Sequence, residues 1–312
     1  MKMFEIIKSG TKFDFVSKFS MTAIFSTVIV ATSLFFLFTK MNYGVDFRGG
    51  AEIQVKFNQK VQLSELRRNL ERDGFKGLTA QSIGEESENE YLLKVLASED
   101  NLNAVTEKVS LSLNENYKEQ GLEIRKVDIV GPKAGSELRK SGFLAMLWAL
   151  LAIMVYIGLR FDFKYSPGAI VALFHDVSII LGVFALTGTE FTLQTVAALL
   201  AVIGYSVNDT VIVYDRVREH EAKFVGRSLG EHINNAVNET LSRTVLTSTT
   251  TLFISVIMYV FGGLAIRDFF LAISLGVIIG TYSSIFVAAP VTLFFDKMRN
   301  EEESSNASSV KA

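Results

Sequence analysis

Asp209 lies inside the apolar run FTLQTVAALLAVIGYSVNDTVIVYD, residues 191–215, which is long enough to cross a bilayer. A carboxylate in hydrocarbon costs ~3 kcal/mol on insertion scales, so intramembrane acids usually serve ion or proton movement. Desolvation raises the proton affinity of such a group, and a titrating site is the functional reading. The alternative is a structural carboxylate hydrogen-bonded between helices. Tyr205 lies one helical turn back on the same face, and Ser206, Asn208 and Thr210 are further polar neighbours. Arg243 opens another apolar run, LSRTVLTSTTTLF at 241–253, at comparable depth from the same side. It is either the charge partner of Asp209 or an anchor that snorkels to the headgroups. The pair His175-Asp176 sits midway along a third run. With Asn208 it forms a candidate proton relay; the alternative is a neutral histidine bonded to a carboxylate for packing. No further ligands cluster near His175, so no metal site is expected.

These groups need helices to hold them. The chain has 312 residues, 49% of them hydrophobic, and a mean hydropathy of +0.31. The average conceals a polar stretch over 40–140 and long apolar runs elsewhere. Segments 19–38, 141–159, 167–187, 191–214, 244–263 and 268–295 are each long and apolar enough to span a bilayer. The first lacks a small-x-small cleavage site and reads as an uncleaved anchor. Lys2, Lys8, Lys12, Lys18, Arg160, Lys164, Arg216, Arg218, Lys223, Arg227, Lys297 and Arg299 all fall on one side of this arrangement, and the opposite short loops offer only Arg267. The positive-inside rule then places both termini in the cytoplasm and the insert between the first two spans outside.

Within the insert, residues 51–57 alternate apolar and polar, as in a half-buried strand. Leu63, Leu66 and Leu70 follow at helical spacing, and Gly74 and Gly77 end that helix. A hairpin over Leu78–Ile83 and Tyr91–Leu96 turns through Gly84–Glu90. Leu102, Val105, Val109 and Leu113 mark a second helix, with Asp100 or Asn101 placed to cap it. Leu122–Val130 closes as a strand whose apolar phase switches between Ile124 and Val127, which predicts a bulge. The order β-α-β-β-α-β is the ferredoxin-like pattern. The fold class is therefore a polytopic α-helical membrane protein of six spans with one α+β ferredoxin-like domain between helices 1 and 2. The expected division is a tail 1–18, a first span 19–39, the domain 40–140, spans two to six over 141–296, and a disordered tail 297–312.

Several classes are disfavoured. The chain has no cysteine, so disulfides and thiolate metal sites are absent. A formal net charge of −2 carries no nucleic-acid footprint. There is no phosphate-binding loop, zinc spacing or nucleophile–base pair, so no enzyme, catalytic residue or cofactor is expected. Gly276 and Gly280 form a G-x-x-x-G that permits close helix approach. Ser228–Leu241 reads as an interfacial amphipathic helix, with Leu229, Ile233, Val237 and Leu241 on one face.

Four segments in this order are specific together: GVDFRGG at 44–50, RFDFKYSPGAIVALFHD at 160–176, YSVNDTVIVYDRVRE at 205–219 and LSRTVLTSTTTLF at 241–253. With six spans and one insert of roughly 100 residues, the chain resembles the SecD/SecF family of the resistance-nodulation-division superfamily. The small insert favours the SecF branch over SecD, whose exported region is much larger. The resemblance implies a location in the bacterial inner membrane, with residues 40–140 in the periplasm. It implies SecD as partner, the SecYEG translocon as neighbour and unfolded preproteins as substrates, with the proton-motive force as the energy source. It implies that Asp209 and Arg243 belong to the proton-conducting site. It also implies that Asp46, Arg48, Gly49 and Gly50 couple membrane to exported domain; as residues alone they read as a glycine-rich turn opening a strand. A lone carboxylate also serves sodium, so the coupling ion stays open between the two. Two other readings are a half-transporter for small molecules or lipids, and a purely structural subunit with a static Asp209–Arg243 pair.

Overall fold

The computed structural model describes residues 11–75, 78–83, 88–95, 102–161 and 163–309. The first span is α1, Phe19–Lys40. Its Met21, Ile24, Phe25, Val28, Phe35 and Phe38 are exposed. A row of large apolar side chains of this length belongs against acyl chains, not water.

A short strand β1 (Asn42–Tyr43) and a single helical turn α2 (Val45–Arg48) lead into the inserted domain. That domain runs β2 (Gly50–Lys56), α3 (Leu63–Arg72), β3 (Thr79–Ile83), β4 (Glu90–Val95), α4 (Leu102–Tyr117) and β5 (Glu123–Val130). Its four strands pair antiparallel in the order β3-β4-β2-β5. Between Gln54 and Val55 the register on β5 jumps from Lys126 to Ile124, so Arg125 is the extra residue of a bulge. Ile53, Val55, Phe57, Leu66, Leu70, Leu93, Val109 and Leu113 fill a core separate from that of the spans. The turn expected at Gly84–Glu90 lies partly, and the cap at Asp100 or Asn101 wholly, outside the described residues.

The remaining spans are α5 (Pro132–Arg160), α6 (Ser166–Thr187), α7 (Leu193–Lys223), α8 (Leu229–Phe261) and a sixth, composite one. The second helix starts at Pro132, not near 141. Proline at its first position is preset for a helix, and only Gly135 weakens the helix before the bilayer stretch. The amphipathic helix expected at Ser228–Leu241 is not separate. It is the first part of α8, and Ile233 and Val237 are fully buried in the bundle core, not laid on a lipid surface. The sixth span is α9 (Leu264–Ser283), a π-helical turn over Ser284–Ala288, and α10 (Ala289–Ser309). α10 therefore runs on into the segment expected as a disordered tail. The pairs Arg299–Asp296 and Lys297–Glu301, three and four residues apart, favour that continuation.

Half of the most apolar stretch of α6, α7 and the sixth span is buried, against less than a fifth in α1, α5 and α8. α6, α7 and α9 are thus the centre of the bundle. Small residues permit the approach: Gly182 faces Ser33 of α1, Gly276 faces Val202, and a Cβ on Gly280 would stand 3.1 Å from that of Ser206.

Candidate functional site

α7 positions the key acid. Thr192 caps it in a reciprocal capping box with Thr195. Along its buried face come Val202, Ser206, Asp209, Val213 and Val217, at intervals of three or four residues. Asp209 is 1% exposed, and its Oδ2 has no hydrogen-bond partner among the described residues. Arg243 does not touch it: no carboxylate–guanidinium contact within 4.0 Å joins them, and the Arg243 side chain is exposed on α8. Arg243 still acts on Asp209 through its charge, as does the Ser248 hydroxyl. The Tyr205 hydroxyl donates to Ser248 Oγ at 3.3 Å, and Ser248 Oγ lies 2.6 Å from Thr281 Oγ1 on α9. Thr244 is buried nearby in sequence, its hydroxyl also unpartnered. Hydroxyls from three helices and one carboxylate thus line the interior, and the arginine stands at its open side.

His175 and Asp176 are brought together, but not with Asn208. His175 Nδ1 is 2.9 Å from Asp176 Oδ1. Asp176 Oδ2 accepts from Ser206 Oγ at 2.6 Å and from Ser283 Oγ at 2.8 Å. This single carboxylate therefore ties α6 to α7 and α9. The His175 ring stacks on Tyr282, whose hydroxyl lies 3.0 Å from Ser26 Oγ on α1. Asn208 is exposed. A helix turns about 100° per residue, so the neighbour of a buried Asp209 is carried off that face. The sequence reading missed Ser206 and Ser283 as functional partners. Ser206 was legible as the residue three before Asp209, on its own face.

The junction motif is built at close quarters. Asp46 Oδ2 accepts the backbone N–H of Leu193 at 2.9 Å, at the start of α7. β1 pairs parallel with β6 (Glu190–Phe191) in the loop before α7. Phe47 stacks on Phe191 with centroids 5.3 Å apart. Gly49 has φ +81°, and a Cβ there would lie 2.7 Å from the Pro132 backbone. Only glycine meets both demands. Gly50 (φ +150°) packs likewise on the Val95 carbonyl of β4, while Arg48 is exposed. On the domain side, Lys94 Nζ reaches Glu190 at 2.6 Å and Glu52 at 3.3 Å. Burial pulls the Lys94 pKa down, but the two carboxylates outweigh it and hold the ammonium above its usual range.

No cluster of three or more metal-ligating side chains occurs among the described residues. The arrangement can hold, move or release one positive charge at a buried carboxylate. The helix that carries this carboxylate is bonded at its first amide to the junction.

Residues 109–298 match the family described as "Protein export membrane protein SecD/SecF, C-terminal", and residues 34–61 match the "SecD/SecF GG Motif". "Protein translocase subunit SecF" of Rickettsia rickettsii (strain Sheila Smith) is 41% identical over 300 residues, covering 95% of this chain and 96% of that one. Its counterpart from Rickettsia bellii (strain OSU 85-389) is 40% identical over 299 residues, covering 95% and 98%. Among solved structures, SecDF of Thermus thermophilus, described as a translocon-associated membrane protein, is similar with a TM-score of 0.79 and 34% identity over 92% of this chain. A SecDF in a super-membrane-facing form gives a TM-score of 0.71 and 34% identity over 97%. The chain spans 39% and 41% of those two longer chains. With the family matched across most of its length, and relatives alike from end to end, the chain belongs to the SecF branch of the SecD/SecF family of protein-export membrane proteins.

Proposed function

We propose that this chain is the SecF half of a proton-driven export motor that works with SecD beside the SecYEG translocon on unfolded preproteins. It sits in the bacterial inner membrane with both termini cytoplasmic. Residues 40–140 form a periplasmic domain, and the strand order β3-β4-β2-β5 supports a ferredoxin-like assignment for it. The exposed apolar faces of α1, α5 and α8 meet membrane lipids, except where SecD covers them. The chain does no catalysis and needs no cofactor beyond the coupling ion.

The observation that carries this reading is that one helix holds both ends of the device. α7 carries the buried, half-unpartnered Asp209 within the bundle, and its first amide is bonded to Asp46 of the domain junction. A proton reaching Asp209 neutralises it and removes its attraction to Arg243. α7 then repacks, and Asp46, Gly49 and Gly50 pass the movement to the domain, which shifts against the preprotein. Release to the cytoplasm resets the site. One charge crossing 100 mV supplies ~2.3 kcal/mol, which biases a two-state element about fiftyfold. Sodium is the alternative ion, because Tyr205, Ser248 and Thr281 offer further oxygens.

A second reading applies to His175-Asp176. The three donors on Asp176 favour a structural knot over a relay. The test of the motor is preprotein export into vesicles containing SecD and the Asp209→Asn chain, with and without an imposed proton gradient. Loss of only the gradient-dependent part is expected. An unchanged gradient response sinks the role of Asp209.

A further inference from the structure

The sixth span is not a uniform helix, and the irregular part lies between the polar clusters. π-helical turns are rare and costly, and they concentrate at functional sites. Here the turn Ser284–Ala288 is bracketed by specific bonds. On its N-terminal side, Ser283 Oγ donates to Asp176, and Thr281 Oγ1 is bonded to Ser248 beside Asp209. The charged and titratable groups around this end are Asp176 with His175 on α6, Tyr282 stacked on that histidine, Tyr205 of α7 bonded to Ser248, and, through Ser248, Asp209 with the charge of Arg243. On its C-terminal side, the Tyr214 hydroxyl of α7 lies 3.3 Å from the Ala288 carbonyl and 2.9 Å from Thr292 Oγ1. Thr292 itself donates to the same carbonyl at 3.0 Å. Tyr214, Ser283, Ser284 and Thr292 are all buried. Gly168 of α6 leaves the room, since a Cβ there would overlap Thr292, Ala288 and Tyr214. Pro290, two residues beyond the turn, has no N–H to give it. An extra residue is thus held in the helix between the Asp176 carboxylate of α6 and the Tyr214 hydroxyl of α7.

We propose that Ser284–Ala288 is the register hinge of the sixth span, with Ser283 and Tyr214 as its positioning residues. When the charge on Asp209 changes, the Ser248–Thr281 link beside it shifts the start of the turn, the Ser283 bond to an ionised Asp176 is pulled out of line, and the turn relaxes toward an α-helix. Loss of the extra residue turns α10 relative to α9 by ~100° and shifts it by ~1.5 Å. This rests on the proton-driven reading and adds to it the element that moves.

The chain has no cysteine, so single thiols can be followed without background from it. Leu293→Cys and Phe294→Cys are placed on α10, where Leu293 is half-buried and Phe294 is 59% exposed. Ile278→Cys on α9 is the control. Maleimide labelling is measured in vesicles containing the full SecD-bound complex, with and without a proton gradient. The expected result is a severalfold change in the Leu293 to Phe294 labelling ratio on applying the gradient, with Ile278 constant. Tyr214→Phe should shift the ratio toward the energised value in the absence of a gradient. Thr292→Val makes the same test if the tyrosine variant fails to assemble. A ratio that ignores a gradient which still stimulates export overturns the hinge. The Asp209→Asn chain, measured alongside, judges the proton reading separately: retained gradient stimulation defeats that reading, and lost stimulation with a constant parental ratio defeats the hinge alone.

Discussion

The carboxylate of Asp46 and the backbone N–H of Leu193 lie 2.9 Å apart. They are 147 residues apart in the chain, one at the root of the inserted domain and the other at the head of the central helix. A carboxylate at a helix N-terminus satisfies an orphan donor and complements the dipole. It also ties the start of α7 directly to α2.

Removing this bond should uncouple the domain from α7 at little cost in stability. Asp46→Ala loses about 1 kcal/mol of capping energy, which is too little to unfold a six-span bundle. The expected phenotype is normal assembly with gradient-stimulated export reduced severalfold. Asp46→Asn keeps an oxygen acceptor and should retain much of the stimulation. Equal export by the alanine variant and the parent would show that Asp46 is only a turn residue.

The second contact between domain and bundle is Lys94 with Glu190 and Glu52. The folded-state pKa of Lys94 is raised above 10.5. Its protonated form is therefore favoured by folding, and its contribution is complete below the ordinary lysine range. It is lost only as pH rises through the raised value. Docking of the domain, followed by protease sensitivity of the junction, should stay constant from neutral pH to about 10 and loosen above that. Glu190→Gln should move the loosening to lower pH. A junction that loosens near pH 8 in the parent would rule out Lys94 as its fastener.

How legible these features were depended on how local they are. The six spans follow from length and hydropathy alone, and the acid at 209 is visible because the only other charge in its run, Asp215, stands at the very end of it. Helix rotation is not legible in that way. Asn208 and Asp209 are adjacent in sequence yet one is exposed and the other buried, and Arg243 is exposed although its charge acts on Asp209. Which hydroxyls meet Asp176 depends on how α7 and α9 are turned about their axes. Neighbouring helices set that angle, through contacts such as Gly280 on Ser206. The π turn was equally hidden, because the bonds that bracket it, Tyr214 to Ala288 and Ser283 to Asp176, join residues far apart in the chain.

The glycines of α9 give a packing prediction. A side chain at Gly276 would overlap Val202. Overpacking of this kind costs typically 1–3 kcal/mol. Gly276→Leu should lower the thermal midpoint of the detergent-solubilised chain by several degrees, whereas Gly204→Leu should not, since nothing lies within 4 Å of a Cβ there. Equal effects of the two would mean that α9 and α7 do not approach through Gly276.

The two intramembrane aspartates should fail in different ways. Asp209 has a free oxygen, and its neutral amide analogue leaves no bonded partner stranded. Asp209→Asn is therefore expected to assemble at parental levels and lose only gradient coupling. Asp176 is the reverse case. Its oxygens hold His175, Ser206 and Ser283, all buried, and Asp176→Ala strands those donors at about 1–3 kcal/mol each. Ser206→Ala and Ser283→Ala each remove one donor from a carboxylate that keeps two, and should cost about 1 kcal/mol. The predicted ranking by thermal stability of the purified chain is parent and Asp209→Asn highest, the serine variants slightly lower, and Asp176→Ala far lowest. If Asp176→Ala instead melts with the parent and loses only its response to the gradient, then Asp176 is a station on the ion path and the knot of three helices is held by other contacts.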